Sequence, residues 1–111
     1  MNITDKQLAD IRAWAAQNPL ITSVQLFGSR VRGTARADSD LDVAIGAGFG
    51  EDALQTWIIH KGTWEAELRA LTGLVVNVDL YHPTLAAHVR GYVEECGFEV
   101  YRQSVTGEKG A

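Results

Sequence analysis

A small mixed β-sheet with helices packed on it, an α/β (α+β) fold, is what this sequence predicts. Its hydrophobic pattern switches between three-and-four spacing and short apolar runs, in the order α-β-β-α-β-α-β. Its 111 residues are enough for one compact core. Hydrophobic residues at 46% and charged residues at 22% make an ordinary globular balance, without repeats or low-complexity tracts. The domain is expected to span 1–102, with 103–111 as a polar C-terminal tail.

Residues 3–17 read as an amphipathic helix. Thr4 and Gln7 have the spacing of a capping box, and Ile3 and Leu8 that of a hydrophobic staple. Leu8, Ile11 and Trp14 line one face, and Pro19 ends the helix. The run 22–28, TSVQLFG, is a strand covered on both faces. A loop rich in Gly, Arg, Ser and Asp fills 29–40, and LDVAIG at 41–46 is the second strand, broken off by Gly46, Gly48 and Gly50.

The longest helix is expected over 51–72. Leu54, Trp57, Ile58, Lys61, Trp64, Leu68 and Leu71 form its inward stripe, with Lys61 the one polar member, and Gly73 ends it. LVVNVDLY at 74–81 is a third strand. Thr84 is placed to cap a last helix carrying Leu85, Val89, Tyr92 and Val93, closed by Gly97, and FEVY at 98–101 is a fourth strand.

The formal net charge of −4 argues against a general nucleic-acid binder, which needs a broad basic face, so nucleic acid is not an expected partner. Cys96 is the sole cysteine, which excludes an intrachain disulfide. The N-terminal segment lacks the basic start and apolar run of a signal peptide, and no apolar stretch approaches the ~20 residues of a membrane helix. A cytoplasmic protein with no membrane association is the expectation.

The chemistry concentrates in residues 26–46. A strand ends in Gly28-Ser29, and the next begins Asp40-Leu41-Asp42. Strand side chains alternate, so Asp40 and Asp42 point to one side while Leu41 anchors in the core. Adjacent carboxylates raise each other's pKa unless a cation lies between them, and hard divalent ions want such oxygen ligands. Gly28 permits a sharp turn close to a ligand, and Ser29 offers a hydroxyl and an N–H to a phosphate. Arg30, Arg32 and Arg36 bring positive charge to the same loop; Arg30, next to Ser29, is best placed to meet a triphosphate. Alone, an Asp-x-Asp pair is an ordinary solvated strand end and a Gly-Ser an ordinary turn. Their joint spacing is what points to a metal–nucleotide site.

This segment resembles the signature of the DNA polymerase β-like nucleotidyltransferase superfamily: Gly28-Ser29, ten residues from Arg30 to Ser39, then Asp40-Leu41-Asp42. The fuller pattern, GSRxRGxARxDSDxD, is similar to that of the minimal nucleotidyltransferases of prokaryotes, which often accompany a HEPN-domain partner in toxin–antitoxin pairs. The resemblance implies the polymerase β-like fold and a third carboxylate on a later strand, a place that Asp79 matches. It further implies ATP as substrate and two Mg²⁺ ions held by Asp40, Asp42 and Asp79. Gly28, Ser29 and Arg30 would be the nucleotide-binding residues, and Asp79 would draw the proton from an acceptor hydroxyl that attacks the α-phosphate.

The function so implied is transfer of AMP to a hydroxyl of a protein partner, a HEPN-type toxin, with the chain as its antitoxin. One rival is transfer to a small molecule, as in aminoglycoside-modifying relatives. Another is a binding module that neutralises its partner without catalysis. His60, His82 and His88 share no metal-ligand spacing, and Trp14, Trp57 and Trp64 fit helical core faces.

Overall fold

The computed structural model describes residues 1–47 and 52–103. The expected breaks at Gly48 and Gly50, and the expected tail beyond Gln103, lie outside these residues. The element order is α1 (Asp5–Ala16), β1 (Ser23–Phe27), α2 (Ser29–Arg32), β2 (Leu41–Gly46), α3 (Asp52–Thr72), β3 (Val76–Leu80), α4 (Ala87–Cys96) and β4 (Phe98–Arg102). The strands form one mixed sheet in the order β3-β2-β1-β4. β1 runs antiparallel to β2 and β4, and β2 runs parallel to β3. A parallel pair cannot be joined by a tight turn, which is why the longest helix lies between β2 and β3.

The sheet has two unlike faces. Val24, Leu26, Leu41, Val43, Ile45, Val76 and Val78 point to one side, where they close a core with Ile11 and Ala15 of α1 and Trp64 and Leu68 of α3. The other side carries a smaller cluster in which Phe27 and Ala44 meet Val89 of α4. α4 leaves part of this face uncovered, and every candidate carboxylate lies on it. Among the described residues no helix is long and apolar enough to cross a membrane.

The start of α1 forms as its sequence specifies. The Thr4 hydroxyl accepts from the Gln7 N–H at 3.0 Å, and the Gln7 carboxamide accepts from the Thr4 N–H at 2.9 Å. Three elements depart from the expectation. Residues 29–32 are not loop but the short helix α2, closed by Gly33 at φ 82°. Thr84 does not cap α4: the chain instead folds round His82, whose Nδ1 accepts from the N–H groups of Thr84 and Leu85, and the helix starts after Ala86.

The third departure is the rotation of α3. Leu54, Ile58 and Leu71 are exposed, and the buried positions are Ala53, Trp64, Leu68 and Thr72. The helix turns this way because its inner face must meet both α1 and the open edge of β3. There Trp57 Nε1 donates to the Val78 carbonyl at 3.3 Å, and Glu65 accepts from the Val78 N–H at 2.8 Å. An edge strand exposes unpaired N–H and C=O groups, and these two side chains satisfy both groups of Val78. Lys61 in turn pairs with Glu65 and lies over the Trp57 ring.

Candidate active site

The site is built where β1 ends and β2 begins. Antiparallel register sets Phe27 across from Asp42, and parallel register sets Ala44 beside Asp79. Phe27, Asp42, Ala44, Asn77 and Asp79 therefore share the face that carries α4. Asp40, two residues before Asp42, joins them: its Oδ2 accepts from the Asn77 amide at 2.7 Å.

Gly28 makes the close approach possible. It sits at φ 85°, ψ −162°, a region essentially closed to any residue with a Cβ. A methyl group there would overlap Oδ2 of Asp42. The bare backbone of the Gly28-Ser29 turn and the Asp42 carboxylate are thus in direct contact. The Gly28 carbonyl accepts from the N–H groups of Val31 and Arg32 at 3.1 Å each, which folds α2 back onto the turn.

Asp42 and Asp79 do not titrate as solvated acids. Asp42 is pushed up from the ordinary 3.8, first by burial, then by the charges of Asp79 and Asp40; a bond from Asn77 opposes the shift. Asp79 is also pushed up by burial, against the pull of Lys61 and His88 and with a contrary push from Glu65. Asp42 is the hub, with a like charge on either side. Among the described residues, however, no three acidic, histidine or cysteine side chains are gathered into one ready-made metal cage. Asp40 is turned to Asn77. The donor set still suits a hard divalent cation: it is all oxygen and partly buried, and its central member, Asp42, is raised in proton affinity by burial and by its acidic neighbours.

Arg30 has a different place from the one the sequence suggests. Its side chain is buried, with 7% of the residue exposed. Its guanidinium is occupied by backbone carbonyls: Nε and Nη2 donate to Ser39 at 3.1 and 3.0 Å, Nη2 to Ala37 at 3.2 Å, and Nη1 to Asn2 at 3.1 Å. A phosphate contact of the expected kind would have to replace some of these bonds. A fork of five donors can bind several carbonyls of an irregular loop at once, and here it fixes the segment that delivers Asp40. Arg32 pairs with Glu95 on the surface, and Arg36 is exposed.

Each hydrogen bond to a charged group is worth roughly 1.5–3 kcal/mol, and a buried acceptor left bare costs about as much. Arg30→Met should therefore lower stability by about 3 kcal/mol or more, read as a large drop in melting temperature. Arg30→Lys should recover only part of it.

Lys61, Glu65 and Trp57 went unread in the sequence as parts of the site's support. The signal was present in Lys61, the lone charge on an otherwise apolar stripe, with Glu65 four residues on.

The family model described as "Polymerase beta, Nucleotidyltransferase" matches residues 9–103. No curated protein matches the chain. Solved structures do. A toxin–antitoxin complex with AMP-PNP aligns at TM-score 0.66 and 19% identity, covering 92% of this chain and 78% of that one. A Shewanella oneidensis complex of a tri-AMPylated HEPN toxin with its MNT antitoxin aligns at 0.60 and 16%, covering 93% and 76%. The MntA–HepT toxin–antitoxin pair aligns at 0.60 and 19%, covering 90% and 74%. At these identities the likeness is one of fold.

Proposed function

The chain belongs to the polymerase β nucleotidyltransferase family, and we propose that within it the chain transfers AMP from ATP to a hydroxyl of a HEPN-type protein partner, as an Mg²⁺-dependent antitoxin. The observation that carries the reading is the seat of Asp42: flanked by Asp40 and Asp79 and pressed against a turn that only glycine can make. The neighbours described as HEPN–MNT complexes, one of them tri-AMPylated, support the choice of partner and transferred group.

Asp40, Asp42 and Asp79 are the residues that would hold Mg²⁺, two ions in this reading. Bound there, the metal supplies charge neutralisation and Lewis-acid polarisation at the α-phosphate. The chain's own residues do the rest. The Gly28-Ser29 backbone admits the triphosphate at close range, and the Ser29 hydroxyl donates to one of its oxygens. Asp79 takes the proton of the acceptor hydroxyl as that oxygen bonds to the α-phosphorus. The bond from the α-phosphorus to the bridging oxygen breaks, and pyrophosphate leaves with that oxygen. Lys61 and His88 favour the ionised Asp79 that this step requires.

The test is mass spectrometry of a HEPN-type protein after incubation with this chain, ATP and Mg²⁺. Wild type should add AMP units of roughly 330 Da, and EDTA should prevent it. Asp79→Asn should keep part of the nucleotide binding, measured by calorimetry, and lose transfer by about 10²–10⁴-fold, the usual weight of a general base. A wild type that neutralises the partner without adding mass removes the catalytic reading and leaves contact alone as the mechanism.

A further inference from the structure

Tyr92 takes no part in the chemistry above, yet α4 holds it beside His88, whose charge acts on Asp79. Of the residues that α4 was expected to carry, Val89 is buried, whereas Tyr92 is half exposed. The Tyr92 ring lies nearly parallel to Phe27, with centroids 6.0 Å apart and planes 12° apart. Phe27 is buried, sits across from Asp42 and immediately precedes Gly28. His88 meets Tyr92 edge-on, at 6.2 Å and 86°. An exposed tyrosine on a loosely packed helix would be free to turn. This one is held from beneath by a buried ring and from the side by a second ring. The result is a fixed aromatic ledge one residue from the phosphate turn.

We propose that the Tyr92 ledge is the base-stacking platform for the donor nucleotide, taking the planar nucleobase while Gly28-Ser29 takes the triphosphate. The inference rests on the nucleotidyl-transfer reading of this site. Aromatic faces bind flat π systems by offset stacking, and the affinity depends on ring rather than hydroxyl. The hydroxyl of Tyr92 is therefore dispensable and its ring is not.

Calorimetry in Mg²⁺ with two probes, AMP-PNP and inorganic tripolyphosphate, tests it. Tyr92→Leu keeps an apolar cover over Phe27 but has no ring face. It should weaken AMP-PNP about tenfold, near 1.4 kcal/mol and within the range for a base on an aromatic side chain, and leave tripolyphosphate unchanged. Tyr92→Phe should bind both as wild type does. Equal AMP-PNP affinity in Tyr92→Leu and wild type overturns the ledge alone. So does an equal loss for both probes, which would mark a structural cover for the turn, or a raised KM for the protein acceptor with nucleotide affinity intact. A wild type that binds neither probe overturns the transfer reading and the ledge with it.

Discussion

Asp42→Asn should abolish transfer and, in the same protein without metal, raise the melting temperature. The loss should reach about a thousandfold, because several kcal/mol of charge stabilisation at the phosphate depend on this carboxylate and each factor of ten is about 1.4 kcal/mol. The gain in stability follows from the direction of the Asp42 shift. Its folded-state pKa lies above the ordinary 3.8 because burial and the charges of Asp79 and Asp40 disfavour the anion. The folded protein then holds a proton in a pH window where the unfolded chain has lost it, so stability falls as pH rises through that window. At neutral pH the ionised Asp42 is a standing cost, which asparagine removes. The advantage of the variant should be full at neutral pH, shrink as pH falls through the raised folded pKa, and vanish below about 3.8, where both forms carry no charge. With Mg²⁺ and AMP-PNP present the order should reverse, since only the wild type gains from ligation. Thermal melts in EDTA across pH, repeated with the ligands, read all of this. A variant that melts below wild type in EDTA at neutral pH would make Asp42 a structural residue.

What was legible in the sequence was whatever depends on period and spacing. The two-residue period of Asp40 and Asp42 places both on one face, and the same period carries Asn77 and Asp79 onto it once β3 pairs with β2. The α1 cap is local, set by four consecutive residues, and it formed as spelled. The misread features are those that depend on distant partners. The rotation of α3 is decided by the edge of β3, and its inward positions include Ala53 and Thr72, which carry little hydrophobic signal, while Leu54 and Ile58 stay in solvent. Thr84 has the right chemistry for a cap, but the turn around His82 outcompetes it. Arg30 looks like a phosphate ligand from its neighbours in sequence. Its fate is decided by carbonyls of Asn2, Ala37 and Ser39, whose approach no local pattern encodes.

Gly28→Ala should be as damaging to transfer as losing a carboxylate, although it removes no functional group. Two faults add. The backbone at φ 85°, ψ −162° is strained for alanine by about 1–3 kcal/mol. The new methyl group also overlaps Oδ2 of Asp42, so the carboxylate must swing away from the turn or the turn must open. Either movement separates the phosphate-binding backbone from the hub of the acidic cluster, and misplacement of about 1 Å can cost 10²-fold in rate. Gly33→Ala is the control. Gly33 is also left-handed, at φ 82°, but an added methyl finds nothing nearer than the Met1 nitrogen at 3.6 Å. It should lose only about 1–2 kcal/mol of stability and keep transfer. A double-mutant cycle separates the two faults at Gly28. In an Asp42→Ala background the overlapping oxygen is gone, so Gly28→Ala should cost only its backbone strain, and the difference between the two backgrounds measures the clash. Equal costs in both backgrounds would show that Asp42 does not press on this turn. Full transfer by Gly28→Ala would show that the contact is not part of the working site.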